Sequence, residues 1–158
     1  MSFDVILIKF SAGMPAKSNR EAVLAVLNAA KFQGPNDHDF YVVEFADGYS
    51  VELYSNGLHG EGEFTGCTFF MRGMSPDLVR FVFDMAKAGD MVMLPTMENF
   101  VPILSSPGQQ NELPKDLAEN EIPPVLCRSP EELWALLVDG YDGWKKYRDQ
   151  MVGDNREL

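Results

Sequence analysis

The sequence has few basic residues, and this shortage excludes several classes of partner. Its 13 Lys and Arg stand against 24 Asp and Glu, which gives a net charge of −11 in 158 residues. A surface this negative repels nucleic acid and anionic lipid, and it attracts cationic partners. No apolar run approaches the length that spans a membrane. We therefore expect neither a nucleic-acid partner nor a membrane partner.

Histidine and cysteine are too scarce for the common metal and redox sites. The chain has two of each, and Cys67 and Cys127 lie far apart instead of forming a CxxC pair. A tetrahedral zinc site would then need an unusual, carboxylate-rich composition. The first residues also lack the basic-then-apolar pattern of a secretory signal. We expect free thiols, a cytoplasmic location and no cofactor.

Apolar residues, by contrast, are abundant. They make up 46% of the chain, which is enough for a sizeable core and excludes a disordered polyanion. A single domain over residues 1–158 is predicted. Residues 95–127 form a proline-rich segment that is too short and too apolar to separate two domains.

Cap signals predict two helices in the N-terminal two thirds of the chain. Ser18 and Glu21 have the spacing of a capping box and predict a helix over 18–32. Ser75, followed by a proline at the first helical position, predicts a second helix over 75–88.

A third helix is predicted at the C-terminal end, over about 130–151, after a similar signal at Ser129. Its apolar and aromatic residues recur at helical spacing, and we expect this stripe to pack on its own domain. The stripe consists of Leu133, Leu137, Tyr141, Trp144, Tyr147 and Met151.

Short apolar runs between the helices predict strands. The resulting order is β-α-β-β-β-α-β, followed by the proline-rich segment and the C-terminal helix. This order is typical of an α+β domain, with a mainly antiparallel sheet of four or five strands and helices packed on it. The predicted strands lie over 4–10, 40–45, 49–54, 66–71 and 91–94, with 100–104 as a candidate edge strand.

The register of the hairpin over 40–54 decides which of its residues face solvent. A turn of two residues would mix acids into both faces. A three-residue loop with Gly48 in the left-handed region pairs Phe45 with Tyr49 and keeps the acids on one face. We prefer the second register, since burying an unpaired carboxylate is costly. The core face then holds Tyr41, Val43, Phe45, Tyr49, Val51 and Leu53, and the other face holds Phe40, Val42, Glu44, Ser50, Glu52 and Tyr54.

The outer face of this hairpin has two interpretations. Its two acids, framed by aromatic residues, favour a docking surface, with Phe40, Glu44, Glu52 and Tyr54 among the candidate binding residues. Alternatively, a second layer such as the C-terminal helix covers its apolar side chains. The sequence leaves both open.

Two small clusters contain the histidines. His59, Glu61 and Glu63 alternate along a glycine-rich loop and are weak candidates for metal ligands, while Glu61 and Glu63 are also candidate binding residues. His38 lies between two aspartates. A mobile polar loop is the preferred interpretation of residues 59–63, so no metal is predicted.

No catalytic motif is present, so no catalytic residue is assigned. Cys67 lies in an apolar strand, where a thiol is usually a core residue. Cys127 precedes a helix N-terminus by two residues and is the better candidate for a reactive thiol. A structural role is still the preferred interpretation of both.

Both ends of the chain resemble a group of small bacterial proteins. The opening Met1-Ser2-Phe3-Asp4-Val5 is similar to the start of those proteins, as are residues 127–133 and 144–150 near the C-terminus. Some members of that group look like immunity proteins of bacterial toxin systems. The resemblance implies a small, cytosolic, acidic α+β protein, and it transfers no functional residue.

Two functions are therefore predicted from different classes. The first is a non-enzymatic interaction protein with a basic protein partner, for which an immunity protein covering a basic toxin is the most concrete form. The second is a small hydrolase, or a ligand- or metal-binding domain, that uses His38 or His59 in a pocket between the sheet and the proline-rich segment.

Overall fold

The computed structural model describes residues 3–97, 101–119 and 122–138. Four α-helices and one 3-10 helix lie in this part of the chain. They are α1 (Arg20–Asn28), α2 (Pro76–Gly89), the 3-10 helix (Pro107–Glu112), α3 (Lys115–Ala118) and α4, over residues 130–138. The strands are β1 (Phe3–Ile8), β2 (Phe10–Ser11), β3 (Met14–Pro15), β4 (Lys31–Gln33), β5 (Phe40–Glu44), β6 (Ser50–Tyr54), β7 (Gly66–Met71), β8 (Val92–Pro95), β9 (Ile103–Leu104) and β10 (Val125–Leu126).

Within these residues one sheet has eight strands in the order β10-β9-β8-β1-β7-β6-β5-β4, and β2 and β3 pair separately. Neighbouring strands are antiparallel except for the parallel pair β9 and β10. The predicted α+β class, single domain and mainly antiparallel sheet are confirmed. The predicted count of four or five strands is wrong, because two of the strands are only two residues long and a third was taken for part of a helix.

The hydrophobic core lies on one face of the sheet. Alternate residues of the strands, such as Val5, Leu53 and Phe69, are completely buried there, in one cluster with the apolar faces of α1 and α2. Leu133, Leu136 and Leu137 of α4 belong to the same cluster, and Trp134 packs against it. The C-terminal helix thus packs on its own domain over 130–138, as predicted. Residues 139–151, with the rest of the aromatic stripe, lie outside the described residues.

The first helix is shorter than predicted at both ends. Its N-cap is Asn19, whose side chain accepts a hydrogen bond from the backbone of Ala22 at 3.1 Å. Ser18 instead donates its hydroxyl to the carbonyl oxygen of Gly89 at 2.6 Å, so it joins α1 to the end of α2. The helix ends at Asn28, and Phe32 lies in β4 opposite Val43.

The second helix begins as its cap predicts. The side chain of Ser75 accepts a hydrogen bond from the backbone N–H of Leu78 at 3.2 Å, and proline occupies the first turn. The helix ends where Asp90 adopts the left-handed conformation, with φ of 51°. The candidate edge strand over 100–104 is present as β9, but it is not at the edge, because it pairs with both β8 and β10.

The carboxylate of Asp90 ties three segments together. It accepts hydrogen bonds from Lys9 Nζ at 2.9 Å, Ser106 Oγ at 3.0 Å and Gln109 Nε2 at 2.9 Å. Burial alone would raise the pKa of Asp90, but these hydrogen bonds and the charge of Lys9 outweigh it and hold the pKa below its usual value. Asp90 thereby joins the ends of β1 and α2 to the 3-10 helix.

We expect Asp90→Asn to destabilise the protein at neutral pH by about 1 kcal/mol, a modest value because the Asp90 side chain is 53% exposed and its ion pair is screened. Asparagine tolerates the left-handed backbone conformation, so the loss of stability measures the contribution of the carboxylate charge. The pKa of Asp90 is lower in the folded state, so its contribution is present above the unfolded pKa and is lost as pH falls through the folded pKa. Urea unfolding of both proteins at pH 7 and pH 3 tests this.

The difference between the two proteins should shrink at the lower pH. The control is Glu61→Gln, which removes one negative charge from an exposed loop position. Equal stability of Asp90→Asn and the native protein at pH 7, or a difference that stays constant down to pH 3, would contradict the assignment.

Candidate functional site

Over β1, β7, β6 and β5, the face of the sheet opposite the core carries side chains that are half-buried or exposed. We call it the open face. Its centre is one continuous array across four strands, since Glu52 of β6 lies opposite Val42 of β5 and Phe70 of β7, and Phe70 lies opposite Asp4 of β1. The open face comprises Asp4, Ile6, Phe40, Val42, Glu44, Glu52, Tyr54, Thr68 and Phe70.

The predicted hairpin register is confirmed, and it positions the two acids. The backbone N–H of Phe45 donates to the carbonyl oxygen of Tyr49 at 2.9 Å, and Gly48 adopts a φ of 91°. Glu44 and Glu52 consequently lie on the same non-core face, as expected from the alternation. The part of the C-terminal helix in the described residues packs on the core side, and Val42 is 40% exposed.

Three aromatic rings form a cluster on the open face. The ring centroid of Phe40 lies 5.4 Å from that of Tyr54 and 5.8 Å from that of Phe70. We call these three residues the aromatic patch. Phe70 was missed in the sequence, although the alternation of β7 could have found it: Cys67, Phe69 and Met71 face the core, so Phe70 faces outward.

Each acid of the hairpin already has a basic neighbour. Glu44 lies 3.2 Å from Lys31 Nζ, and Glu52 lies 3.4 Å from a terminal nitrogen of Arg72. All four side chains are more than two-fifths exposed, so both ion pairs are weak and readily exchanged. Neither base was identified from the sequence, because each is brought to its acid by a neighbouring strand or by the end of one.

A pocket of about 490 Å³ adjoins the aromatic patch. The turn over residues 33–36 forms one wall, and Phe40, Val42 and Glu52 form the other. The turn needs glycine at Gly34, where φ is 116° and an added Cβ would lie 2.7 Å from the carbonyl oxygen of Phe40. Asn36 fixes its far end by accepting hydrogen bonds from the backbone of His38 at 2.9 Å and Phe40 at 3.0 Å.

The glycine-rich loop is tied to the start of α1. Glu63 pairs with Lys17 at 3.8 Å, the backbone of Ser18 donates to the carbonyl oxygen of Phe64 at 2.8 Å, and the guanidinium of Arg20 donates to the carbonyl oxygen of Gly62. Glu61 is exposed. Among the contacts between described residues, none joins Glu61 or Glu63 to the aromatic patch.

The histidines occupy different settings. His59 is exposed, and its ring stacks on that of Phe32 with the ring centroids 6.4 Å apart. Its Nδ1 shares a hydrogen bond of 2.7 Å with the hydroxyl of Tyr41. Burial, together with the nearby Asp39 and Cys67, raises the pKa of Tyr41 to about 12. His38 is exposed in the turn before β5. In the described part of the chain no three His, Cys, Asp or Glu side chains are placed to hold a metal ion.

Both cysteines are free and buried. Burial raises the pKa of each thiol to about 12. The thiol of Cys127 donates to the carbonyl oxygen of Ser129 at 3.2 Å, and the carboxylates of Glu132 and Glu131 disfavour its thiolate further. The helix N-terminus therefore does not activate Cys127, and its environment is that of a core residue.

A larger cleft of about 1300 Å³ lies between α1, α2 and the β5–β6 hairpin. Arg80 at its rim pairs with Glu131 of α4 at 3.9 Å, and Lys87 donates to the carbonyl oxygen of Ser105 at 3.0 Å. Burial raises the pKa of Asp84 in the same cleft. Neither histidine lines it. The ionisable residues around the cleft are Lys31, Glu44, Asp77, Arg80, Asp84 and Lys87, which carry no net charge together.

No protein-family model, curated protein or solved structure matches this chain. The structure nevertheless defines a class of fold, an α+β domain with a mainly antiparallel sheet. In the part of the chain that is described, no helix is long and apolar enough to cross a membrane.

Proposed function

We propose that this protein is a non-enzymatic acidic binding protein that holds a basic protein against its open face. An immunity protein that neutralises a basic bacterial toxin in the cytoplasm is the most concrete form of this proposal. The observation that carries it is the aromatic patch, three half-buried rings beside exposed carboxylates on a sheet face that leaves Val42 40% exposed.

The chemistry of the open face suits such a partner. Aromatic side chains are the usual anchors of protein interfaces, since each buries a large area at a small loss of conformational entropy. Carboxylates around them steer a cationic partner and raise its association rate. The net charge of −11 acts in the same direction over a longer range. Glu61 and Glu63 of the glycine-rich loop belong to this long-range field and complete the proposed acidic surface.

The test begins with the basic product of a neighbouring gene, purified together with this protein. Formation of a saturable one-to-one complex that blocks the toxicity or activity of that product supports the proposal. A basic neighbour that neither binds nor is inhibited contradicts the immunity function. Binding located elsewhere on the surface contradicts the assignment to the open face.

We expect the double substitution Glu44→Lys and Glu52→Lys to slow association with that partner by roughly tenfold at low salt, because it reverses two charges on the proposed interface. Salt should also affect the rate less than it does in the native protein. Stopped-flow association rates at two salt concentrations measure both effects.

A matched control separates the interface from the total charge. Glu21→Lys with Asp84→Lys changes the net charge equally, but on the side of α1 and α2. We expect a much smaller effect from this pair. If both pairs of substitutions slow association equally, only the net charge of the protein matters. If the control pair has the larger effect, the partner binds over the cleft between the helices.

The alternative is a small hydrolase or a ligand- or metal-binding domain. The cleft of about 1300 Å³ is the observation that favours ligand binding, since its volume suits a small molecule. His38 and His59 lie away from that cleft, so a hydrolase that uses either of them would need a different site. A small molecule retained by the purified protein under native mass spectrometry would support this alternative.

A further inference from the structure

We propose that the pocket beside the aromatic patch receives an arginine side chain of the basic partner, and that Arg72 competes with this arginine for Glu52. The inference rests on the proposed function and names the chemistry of its central contact. It is carried by three features that meet at one place: a pocket, an aromatic ring and a weakly paired carboxylate.

The pocket combines the two surfaces that a guanidinium prefers. Phe40 and Glu52 both line it, one with an aromatic ring and the other with a carboxylate. A guanidinium stacks on aromatic faces and donates two parallel hydrogen bonds to a carboxylate, whereas an ammonium is a more strongly hydrated point charge. The volume of about 490 Å³ accommodates such a side chain. These features favour arginine over lysine.

The carboxylate of Glu52 is only weakly paired in the free protein. Its contact with Arg72 is 3.4 Å long, whereas charge-assisted hydrogen bonds are about 2.7–2.9 Å. The side chain of Arg72 is 77% exposed, so solvent screens the pair. An incoming arginine that also stacks on Phe40 can therefore replace Arg72.

The pocket is also formed in advance. Asn36 holds the turn through its two hydrogen bonds to the backbone, and the glycine at position 34 allows the turn to approach β5 closely. A wall that is already fixed loses little entropy when the ligand binds.

The experiment uses N-acetyl-arginine amide as the probe, with backbone amide shifts followed at constant ionic strength. We expect saturable shifts at Phe40, Val42 and Glu52, with a dissociation constant on the order of 10 mM for so small a ligand. N-acetyl-citrulline amide has nearly the same shape without the charge, and it should cause no saturable shift.

Substitutions then test the competition. Glu52→Gln should weaken binding of the probe at least fivefold. Arg72→Gln should tighten binding of the probe by about two- to fivefold, because the probe no longer has to break the exposed ion pair between Arg72 and Glu52. Lys31→Gln is the control, since it removes the same charge from the same face but pairs with Glu44, and it should change the dissociation constant by less than twofold. A merely structural role of Arg72 would not tighten binding.

The outcomes separate this inference from the proposed function. Absence of saturable shifts up to about 50 mM, equal binding of the citrulline probe, or no gain from Arg72→Gln overturns the arginine site. If the basic protein partner is still slowed by the Glu44 and Glu52 reversals, the proposed function stands without it. If the arginine probe binds as expected but substitutions on the open face do not affect binding of the partner, the proposed function fails and the arginine site remains.

Discussion

Replacing Gly66 with alanine is expected to destabilise the fold by about 3 kcal/mol or more. Gly66 begins β7 opposite Ile8 of β1. A Cβ at this position would lie 2.1 Å from the carbonyl oxygen of Leu7 and 3.1 Å from the Cα of Ile8. These are backbone atoms, so no side-chain rotation relieves the clash, and the two central strands must move apart.

The matched control is Gly62→Ala in the nearby loop. An added Cβ there meets nothing within 4 Å. We expect its free energy of unfolding to stay within about 0.5 kcal/mol of the native value. Urea denaturation of the three proteins, monitored by circular dichroism, compares them directly. A Gly66→Ala protein as stable as the control would show that β1 and β7 are not this closely paired.

Elements with strong local signals could be predicted from the sequence. The strand over 66–71 and the helix capped by Ser75 were placed within a residue of their bounds. The hairpin register followed from alternation and from the need for left-handed Gly48, both properties of adjacent residues. In each case the chemistry that fixes the element lies within the element itself.

The missed elements depend on residues that are distant in sequence. Ser18 has the spacing of a helix cap, but its hydroxyl donates to the carbonyl oxygen of Gly89, and Asn19 caps the helix instead. The edge strands β4 and β10 have only three and two residues. Such short segments become strands only because a partner strand lies beside them, which periodicity cannot reveal.

The candidate site was predicted to a similar extent. Phe40, Glu44, Glu52 and Tyr54 share one face because the hairpin is local. Alternation along β7 could have placed Phe70 on the outer face, but only the non-local pairing of β6 with β7 brings it beside Glu52. Arg72 and Lys31 were missed for the same reason. Their presence changes the expected electrostatics, since an approaching cation must replace an existing ion pair.

Tyr54→Ala should speed dissociation of the basic partner by on the order of tenfold or more, which corresponds to about 2 kcal/mol for a buried anchor. Tyr54 lies between Phe40 and Thr68 on the open face, and its ring packs against that of Phe40 in the aromatic patch. Truncation removes contact area that is formed only when the partner covers the ring. The association rate should change little, because steering depends on charge.

Tyr54→Phe distinguishes the anchor from the hydroxyl. Phenylalanine keeps the ring and its packing on Phe40, so dissociation should stay within about threefold of the native rate if apolar contact is what matters. Dissociation rates from surface plasmon resonance, measured after thermal unfolding has shown that both variants are folded, give the comparison. Unchanged dissociation of Tyr54→Ala would remove the aromatic patch from the interface. The binding partner would then have to be sought at the cleft between α1, α2 and the β5–β6 hairpin, where Tyr49, 47% exposed, offers an alternative aromatic anchor.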